Sequence, residues 1–507
     1  MKPLLFAFVV LATLLIRARV AEPIAKPNIV FILADDLGYG DLGCYGATRV
    51  KTPNIDRLAR EGCRFTDAHS PASTCTPTRR ALLTGTYSWR QQPGSTIAPG
   101  DAPLSIPPGT ATLPSLLQQA GYKTGAVGKW HLGLGGEGGP DWNGEIKPGP
   151  LELGFHHAFI MAATGDRVPC VYLEDHRVVG LDPADPIRVS YQHKVGTEPT
   201  GRENPELLKL KHTHGHDATI INGVGRIGWM TGGKTARWVD EDMADTFAKK
   251  AIGFIEANRA GPFFLYFAPH GIHVPRVPNP RFNGTSQCGI RGDAIQELDD
   301  TVGQVIAALE RLKLLDNTLV IFTSDNGGVM DDGYADFGSP EQRCNGALRG
   351  FKGSLWEGGH RVPFLARWPA QIKAGSESGE MFALLDMPAT FAALTGVPLP
   401  AEAALDSVNV LPALLGQPHE KPLRESFVAH SGGTKGPFAV RQGPWKLITG
   451  AAGYGGQEKA GPAAGPQLVN LADDPAETKN LAAERPEIVR QLTELLNQQR
   501  ERGRTRP

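Results

Sequence analysis

The chain has 507 residues with 52 Lys and Arg against 53 Asp and Glu, so a net charge of −1 gives no argument for nucleic acid or an acidic membrane surface as partner. A hydrophobic share of 41% at this length supplies core for one large domain and a smaller one, and excludes a disordered chain. Cys44, Cys63, Cys75, Cys170, Cys288 and Cys344 are too few and too scattered for a disulfide framework.

Lys2 precedes an apolar run at 4–16, shorter than the ~20 residues that span a bilayer. Residues 1–21 therefore read as a signal peptide cleaved after Ala21, which implies export and no stable membrane insertion. Residues 28–34 form a continuous apolar, β-branched run, as expected of a strand buried on both faces, and it ends at Asp35-Asp36. Adjacent carboxylates repel unless a cation lies between them, which points to a hard metal ion; a plain turn is the competing reading. Residues 52–62 predict a short helix. In Cys75-Thr76-Pro77-Thr78-Arg79, Pro77 suits a first helical turn that runs on to a stop at Gly85. Cys75 would then sit just ahead of a helix N-terminus, where free N–H groups favour an anion; alternatively it is a small buried hydrophobe.

A helix at 112–120 and a strand at 124–127 lead into Gly128-Lys129-Trp130-His131-Leu132-Gly133. Residues 165–238 are long, loop-rich and polar, with Asp166, Arg167, His212, His214, His216, Asp217 and Arg226, and read as a substrate-facing insertion. The His-x-His-x-His spacing could hold zinc, but alternation that exposes one polar face of a strand is the preferred account. The apolar run 263–269 ends near His270 and His273, and 318–324 ends at Asp325-Asn326. Between them, Ile295, Leu298, Val302, Val305, Ile306, Leu309 and Leu312 stripe a helix over 293–314. Beyond residue 400, short strands at 425–429, 438–441, 445–449 and 467–470, a loop at 450–465 and a helix at 487–500 predict a small α+β subdomain. Strands alternating with helices predict an α/β fold in which a mostly parallel sheet is covered on both sides, with ligands beyond the carboxyl ends of its strands. The boundaries expected are 22–400 for the large domain, carrying the insertion at 165–238, and 401–507 for the subdomain.

The Cys75 stretch, with its trailing Leu83-Thr84-Gly85, resembles the signature of the type I sulfatases, within the alkaline-phosphatase-like superfamily. Five further blocks are similar to family motifs: Asp35-Asp36, the six residues around Lys129, Ile272-His273-Val274-Pro275, Asp325-Asn326, and Lys352-Gly353 through Glu357-Gly358-Gly359. The run Asn470-Leu471 to Asp474-Pro475 through Asn480-Leu481 is similar to the family's C-terminal motif. The resemblance implies that Cys75 is oxidised to formylglycine by a formylglycine-generating or anaerobic maturation enzyme. It implies one calcium ion held by Asp35, Asp36, residue 75, Asp325 and Asn326. It implies that Arg79, Lys129, His131, His273 and Lys352 act on a sulfate ester, through attack by the aldehyde hydrate on sulfur. The overall look is similar to exported bacterial carbohydrate sulfatases, with a sulfated galactose or N-acetylgalactosamine unit as the expected substrate. Two rival readings are a phosphonate or phosphodiester hydrolase of the same superfamily and an unmodified protein that binds sulfated glycans. His270 is left outside the expected site, and Arg361 is expected to form ion pairs.

Overall fold

All seven residues of the strand β1 (Asn28–Ala34) are buried, and β1 lies at the middle of a ten-stranded sheet. The computed structural model describes residues 26–91, 96–336, 343–453 and 465–506. The expected signal peptide and most of the expected loop at 450–465 lie outside the described residues. Among those described, no helix is long and apolar enough to cross a membrane.

In chain order the other strands of the sheet are β2 (Cys63–Phe65), β3 (Lys123–Lys129), β4 (His157–Met161), β5 (Tyr172–Glu174), β6 (Arg177–Val178), β7 (Phe263–Ala268), β8 (Thr318–Ser324), β9 (Phe364–Arg367) and β10 (Ser376–Ser378). They are arranged β10-β2-β9-β8-β1-β7-β3-β4-β5-β6. The five central strands, β8 to β4, are parallel, and antiparallel neighbours flank them at β9 and β5. Parallel strands need both faces covered, and six helices do this. Helices α1 (Pro53–Glu61), α4 (Met243–Ala257) and α5 (Gly289–Arg311) pack together on one face; α2 (Cys75–Thr84), α3 (Leu113–Gln119) and α6 (Met387–Thr395) pack on the other. The mixed, mostly parallel α/β sheet expected from the sequence is thus present.

Two local differences from the sequence reading have plain causes. Cys75 is the first residue of α2 rather than the residue before it, because extended Thr74 serves as the N-cap. The polar insertion is not all loop: β5 and β6 extend the main sheet, and short hairpin pairs join Arg188–Ser190 to Trp229–Thr231 and Ile220–Ile221 to Val224–Gly225. Strands of two or three residues are too short to leave a periodic pattern.

The C-terminal strands β11 (Ser426–His430), β12 (Phe438–Gln442), β13 (Trp445–Ile448) and β14 (Gln467–Asn470) form an antiparallel sheet, covered by α7 (Pro486–Glu501) through Leu492 and Leu496. A buried ionic junction ties this sheet to the rest. Lys446 of β13 places Nζ 2.9 Å from Glu357, 2.8 Å from Glu477 and 3.2 Å from His360. His69, Glu357 and His360 lie close enough to hold a metal, but the Lys446 ammonium already supplies the positive charge there. Arg361 pairs with Glu357 at 3.3 Å, as expected.

On α5, Glu297 is mostly buried and accepts a hydrogen bond from Asn279 N, and burial pushes its carboxyl from 4.5 up to about 7. The folded state therefore holds this proton more tightly than the unfolded chain does, so stability falls as pH rises from 4.5 through about 7. Glu297→Gln keeps an acceptor and removes the charge. It should raise the melting temperature at pH 8 by an amount equivalent to about 1–2 kcal/mol and change it little at pH 5.

Candidate active site

The site begins with strand register. Ala34 of β1 pairs with Ser324 of β8, so Asp35-Asp36 and Asp325-Asn326 leave two neighbouring parallel strands at the same level. Gly128 pairs with Ala268, which brings Lys129 and the His270–His273 turn to that same edge. Reciprocal backbone bonds, Asp35 N to Gly271 O and Ile272 N to Asp35 O, fasten the turn to β1. Asp36 and His131 both adopt left-handed backbone, each with φ of 58°. For residues with a Cβ this is a local cost of the order of 1 kcal/mol, of the kind found where a side chain must be aimed.

The acidic cluster is fully buried and matched by cations. Lys129 Nζ donates to Asp35 Oδ2 at 2.6 Å, and Arg79 Nε donates to Asp325 Oδ2 at 2.8 Å. Arg79, on the face of α2 shared with Cys75, also donates to Lys129 O and Tyr266 Oη. Lys352 Nζ lies 2.8 Å from Asp36 Oδ2, 2.7 Å from Asp332 Oδ2 and 3.2 Å from His273 Nε2. Asn326 Nδ2 donates to Asp36 Oδ1 at 2.8 Å. Burial pushes Asp36 upward, yet Lys352 and Lys129 more than offset it and hold the carboxyl well below its usual range. Asp35 is raised instead, by burial and by Asp325.

Two acceptors in this cluster, Asp35 Oδ1 and Asn326 Oδ1, are buried without any donor. Buried acceptors seldom stay unpaired. With three carboxylates and an amide oxygen converging and no soft ligand among them, the donor set fits a hard cation such as calcium.

Burial lowers both site histidines well below their usual value, with neighbouring cations adding to it, so both are neutral. His131 donates from Nε2 to Ala98 O at 2.9 Å, and its buried Nδ1 has no partner, which leaves a free lone pair. His273 Nδ1 lies 2.8 Å from Val274 O, so Nε2 accepts from Lys352.

Cys75 is 1% exposed, and burial raises its thiol above the usual value in spite of Lys129 and Lys352. Its α2 neighbours Thr76 to Thr84 are all buried too, and Gly85 closes the helix in left-handed backbone. Cys75, His273 and Lys352 line one wall of a cavity of about 630 Å³. The insertion and a following loop form the other wall with Asp166, Arg167, His214, His216, Asp331 and Asp332. Asp166 is held by Thr164, by Arg167 at 3.0 Å and by His216 Nε2 at 3.0 Å. Burial opposes ionisation of Asp166, but Arg167 and His216 win and keep it a carboxylate.

The structure thus brings together Asp35, Asp36, Cys75, Arg79, Lys129, His131, His273, Asp325, Asn326 and Lys352, every residue expected from the sequence. His270 is structural: its Nε2 accepts from Gly165 N at 3.0 Å. His212, His214 and His216 form no metal-holding group among the described residues. Asp332 and Tyr266 were not anticipated. Asp332 belongs to no motif, and a tyrosine inside an apolar strand looks like core.

Comparison with known proteins agrees with this geometry. The family model described as Sulfatase matches residues 27–397, and one described as N-sulphoglucosamine sulphohydrolase, C-terminal, matches 351–502. An N-acetylgalactosamine-6-O-sulfatase of Bacteroides thetaiotaomicron is 50% identical over 93% of this chain and 92% of its own. Human arylsulfatase A is 36% identical over 94% of this chain and 87% of its own. A solved structure concerned with metabolism of multiple glycosaminoglycans by Bacteroides thetaiotaomicron superposes with a TM-score of 0.90 at 49% identity, covering 94% of this chain and 99% of that one. With the family model spanning most of its length and a half-identical relative along nearly all of it, the chain belongs to the sulfatase family and is a sulfuric ester hydrolase.

Proposed function

We propose that this exported enzyme removes the 6-O-sulfate from an N-acetylgalactosamine unit of a sulfated glycan. What carries this reading is the half-identity to an N-acetylgalactosamine-6-O-sulfatase over 93% of the chain. Asp166, fixed between Arg167 and His216, offers a carboxylate to sugar hydroxyls opposite Cys75 and Lys352.

Asp35, Asp36, Asp325 and Asn326 would hold calcium, which with formylglycine made from Cys75 would supply an acidified hydroxyl nucleophile and neutralise sulfuryl oxygens. The chain's own residues do the rest. Arg79 and Lys129 hold Asp325 and Asp35 in place through ion pairs of 2.8 and 2.6 Å. Lys352 Nζ carries a proton between Asp36, Asp332 and His273 Nε2, and from this group the departing sugar oxygen is protonated. His131, neutral with a free Nδ1 lone pair, is the base for the hydroxyl of residue 75. An oxygen-rich donor set, with His273 as its nearby imidazole nitrogen, disfavours the two-zinc phosphoester chemistry of the wider superfamily.

The test uses protein co-produced with a formylglycine-generating enzyme, with calcium present. Sulfate release from 6-O-sulfated N-acetylgalactosamine should exceed release from the 4-O-sulfated isomer and from phosphonate esters by at least ~100-fold. Equal rates on the two isomers would remove the positional assignment, and a preference for phosphonate would remove the reaction class. Asp166→Asn, which leaves the sugar hydroxyls less well paired, should raise KM by ~10- to 100-fold and change kcat much less.

A further inference from the structure

The back of α2 carries an arginine that the chemistry above does not use. Arg80 is five residues on from Cys75, about 140° around the helix, so it faces away from the nucleophile. It is only 3% exposed. Its Nη2 donates to Gln91 Oε1 at 2.5 Å, while Nε and Nη1 are buried without any acceptor.

The other buried arginines are treated differently. Arg79 meets Asp325 at 2.8 Å, Arg226 meets Asp240 at 2.7 Å, Arg276 meets Asp336 at 3.1 Å and Arg291 meets Asp41 at 2.6 Å. Arg367 meets Glu61 at 2.8 Å, and Arg424 pairs with Asp386. Among the described residues, Arg80 alone of these buried guanidiniums lacks a carboxylate. Burial lowers it to about 10, with no nearby acid to offset the loss of hydration. A buried charge left unpaired is strongly destabilising, and water can satisfy N–H groups without supplying the missing charge.

Arg80 lines a cavity of about 410 Å³ together with Thr84, Thr86, Gln91, Thr110 and Glu402. Thr86 Oγ1 accepts from Leu405 N at 3.3 Å. Glu402 is exposed at the rim, where its charge acts on Arg506 rather than on Arg80. We propose that this cavity binds a small divalent oxyanion of the sulfate type, at a site separate from the catalytic pocket. Guanidinium and hydroxyl donors are the chemistry that sulfate or phosphate recognition uses. The ion would bring negative charge to a buried guanidinium that has no carboxylate of its own. Free sulfate, which the enzyme itself releases, is the occupant the proposal commits to.

Selenate replaces sulfate isosterically and can be located by anomalous scattering. Crystals of the full chain grown without sulfate and soaked in selenate should show a peak beside Arg80, displaced by excess sulfate. In Arg80→Met that peak should vanish while any peak in the catalytic pocket remains. In solution, sodium sulfate at tens of millimolar should raise the melting temperature of the wild type by ~2 °C over sodium chloride at equal ionic strength, and Arg80→Met should lose most of the rise. Selenate confined to the catalytic pocket, a peak that survives Arg80→Met, or equal shifts in both proteins would overturn the proposal. A crystal peak with no solution shift would mean an adventitious ion only, and would also overturn it. Should Arg80→Met fail to fold, sulfate displacement of selenate in the wild type and its solution shift still decide. Absence of selenate from the catalytic pocket alone would weigh against the catalytic reading and leave the Arg80 site standing.

Discussion

Cys75→Ala should lower turnover of sulfate esters by roughly 10,000-fold or more, because it removes the only atom from which the nucleophile can be made. The side chain is buried at the first position of α2, and an alanine fits there with a stability change of about 1 kcal/mol. Far-UV circular dichroism and the melting temperature should therefore remain close to the wild type while sulfate release disappears. Cys75→Ser separates two explanations. If a plain oxygen nucleophile sufficed, serine would retain much of the activity; if the aldehyde hydrate is required, serine would be nearly as poor as alanine. The companion measurement is the mass of the wild-type peptide containing residue 75, in which the side chain should have lost its sulfur and a pair of hydrogens and gained an oxygen. An unmodified thiol in fully active protein would falsify the formylglycine assignment.

Asp325→Ala carries the second large effect, for two reasons that add. Asp325 is fully buried and is the 2.8 Å partner of Arg79, so its loss leaves a buried guanidinium facing Asp35 alone at 3.8 Å. Breaking such a pair from one side costs about 3–5 kcal/mol. It also removes one of the oxygen donors proposed for calcium, so activity should fall by at least ~1,000-fold. The melting temperature of the wild type should rise with added calcium and fall with a chelator, and Asp325→Ala should show neither response. A wild-type protein stabilised by zinc and indifferent to calcium would refute the choice of ion while leaving the catalytic role of Cys75 open.

How much was legible in the sequence depended on whether a residue's signal was local. β1, β7 and β8 could be read because strands buried on both faces leave unbroken apolar runs, and the acids that follow them mark where the sheet ends. Helix α5 showed itself through a long apolar stripe. Helix α4 did not, since its buried face of Met243, Phe247, Ala248, Ala251, Phe254 and Ile255 is diluted by alanines and interrupted by Lys249 and Lys250. β2 and β9 are three and four residues long, below what alternation can reveal. The same division holds within the site. Lys129, His273 and Lys352 sit in recognisable local motifs. The grip of Asp332 on Lys352 and that of His216 on Asp166 join residues 20 and 50 positions apart, and only the folded backbone creates them.

The sealing of α2 has a consequence for how the active protein comes into being. Every residue from Cys75 to Thr84 is buried and helical once the chain has folded. Were residue 75 oxidised by a maturation enzyme, as proposed above, that enzyme would need the side chain within reach, and burial in α2 closes that access in the folded chain. On that reading the fraction of competent molecules would be set before folding ends. Adding the oxidising enzyme to folded protein should rescue none of the remainder, and specific activity becomes a record of how synthesis and closure of the sheet were timed against each other.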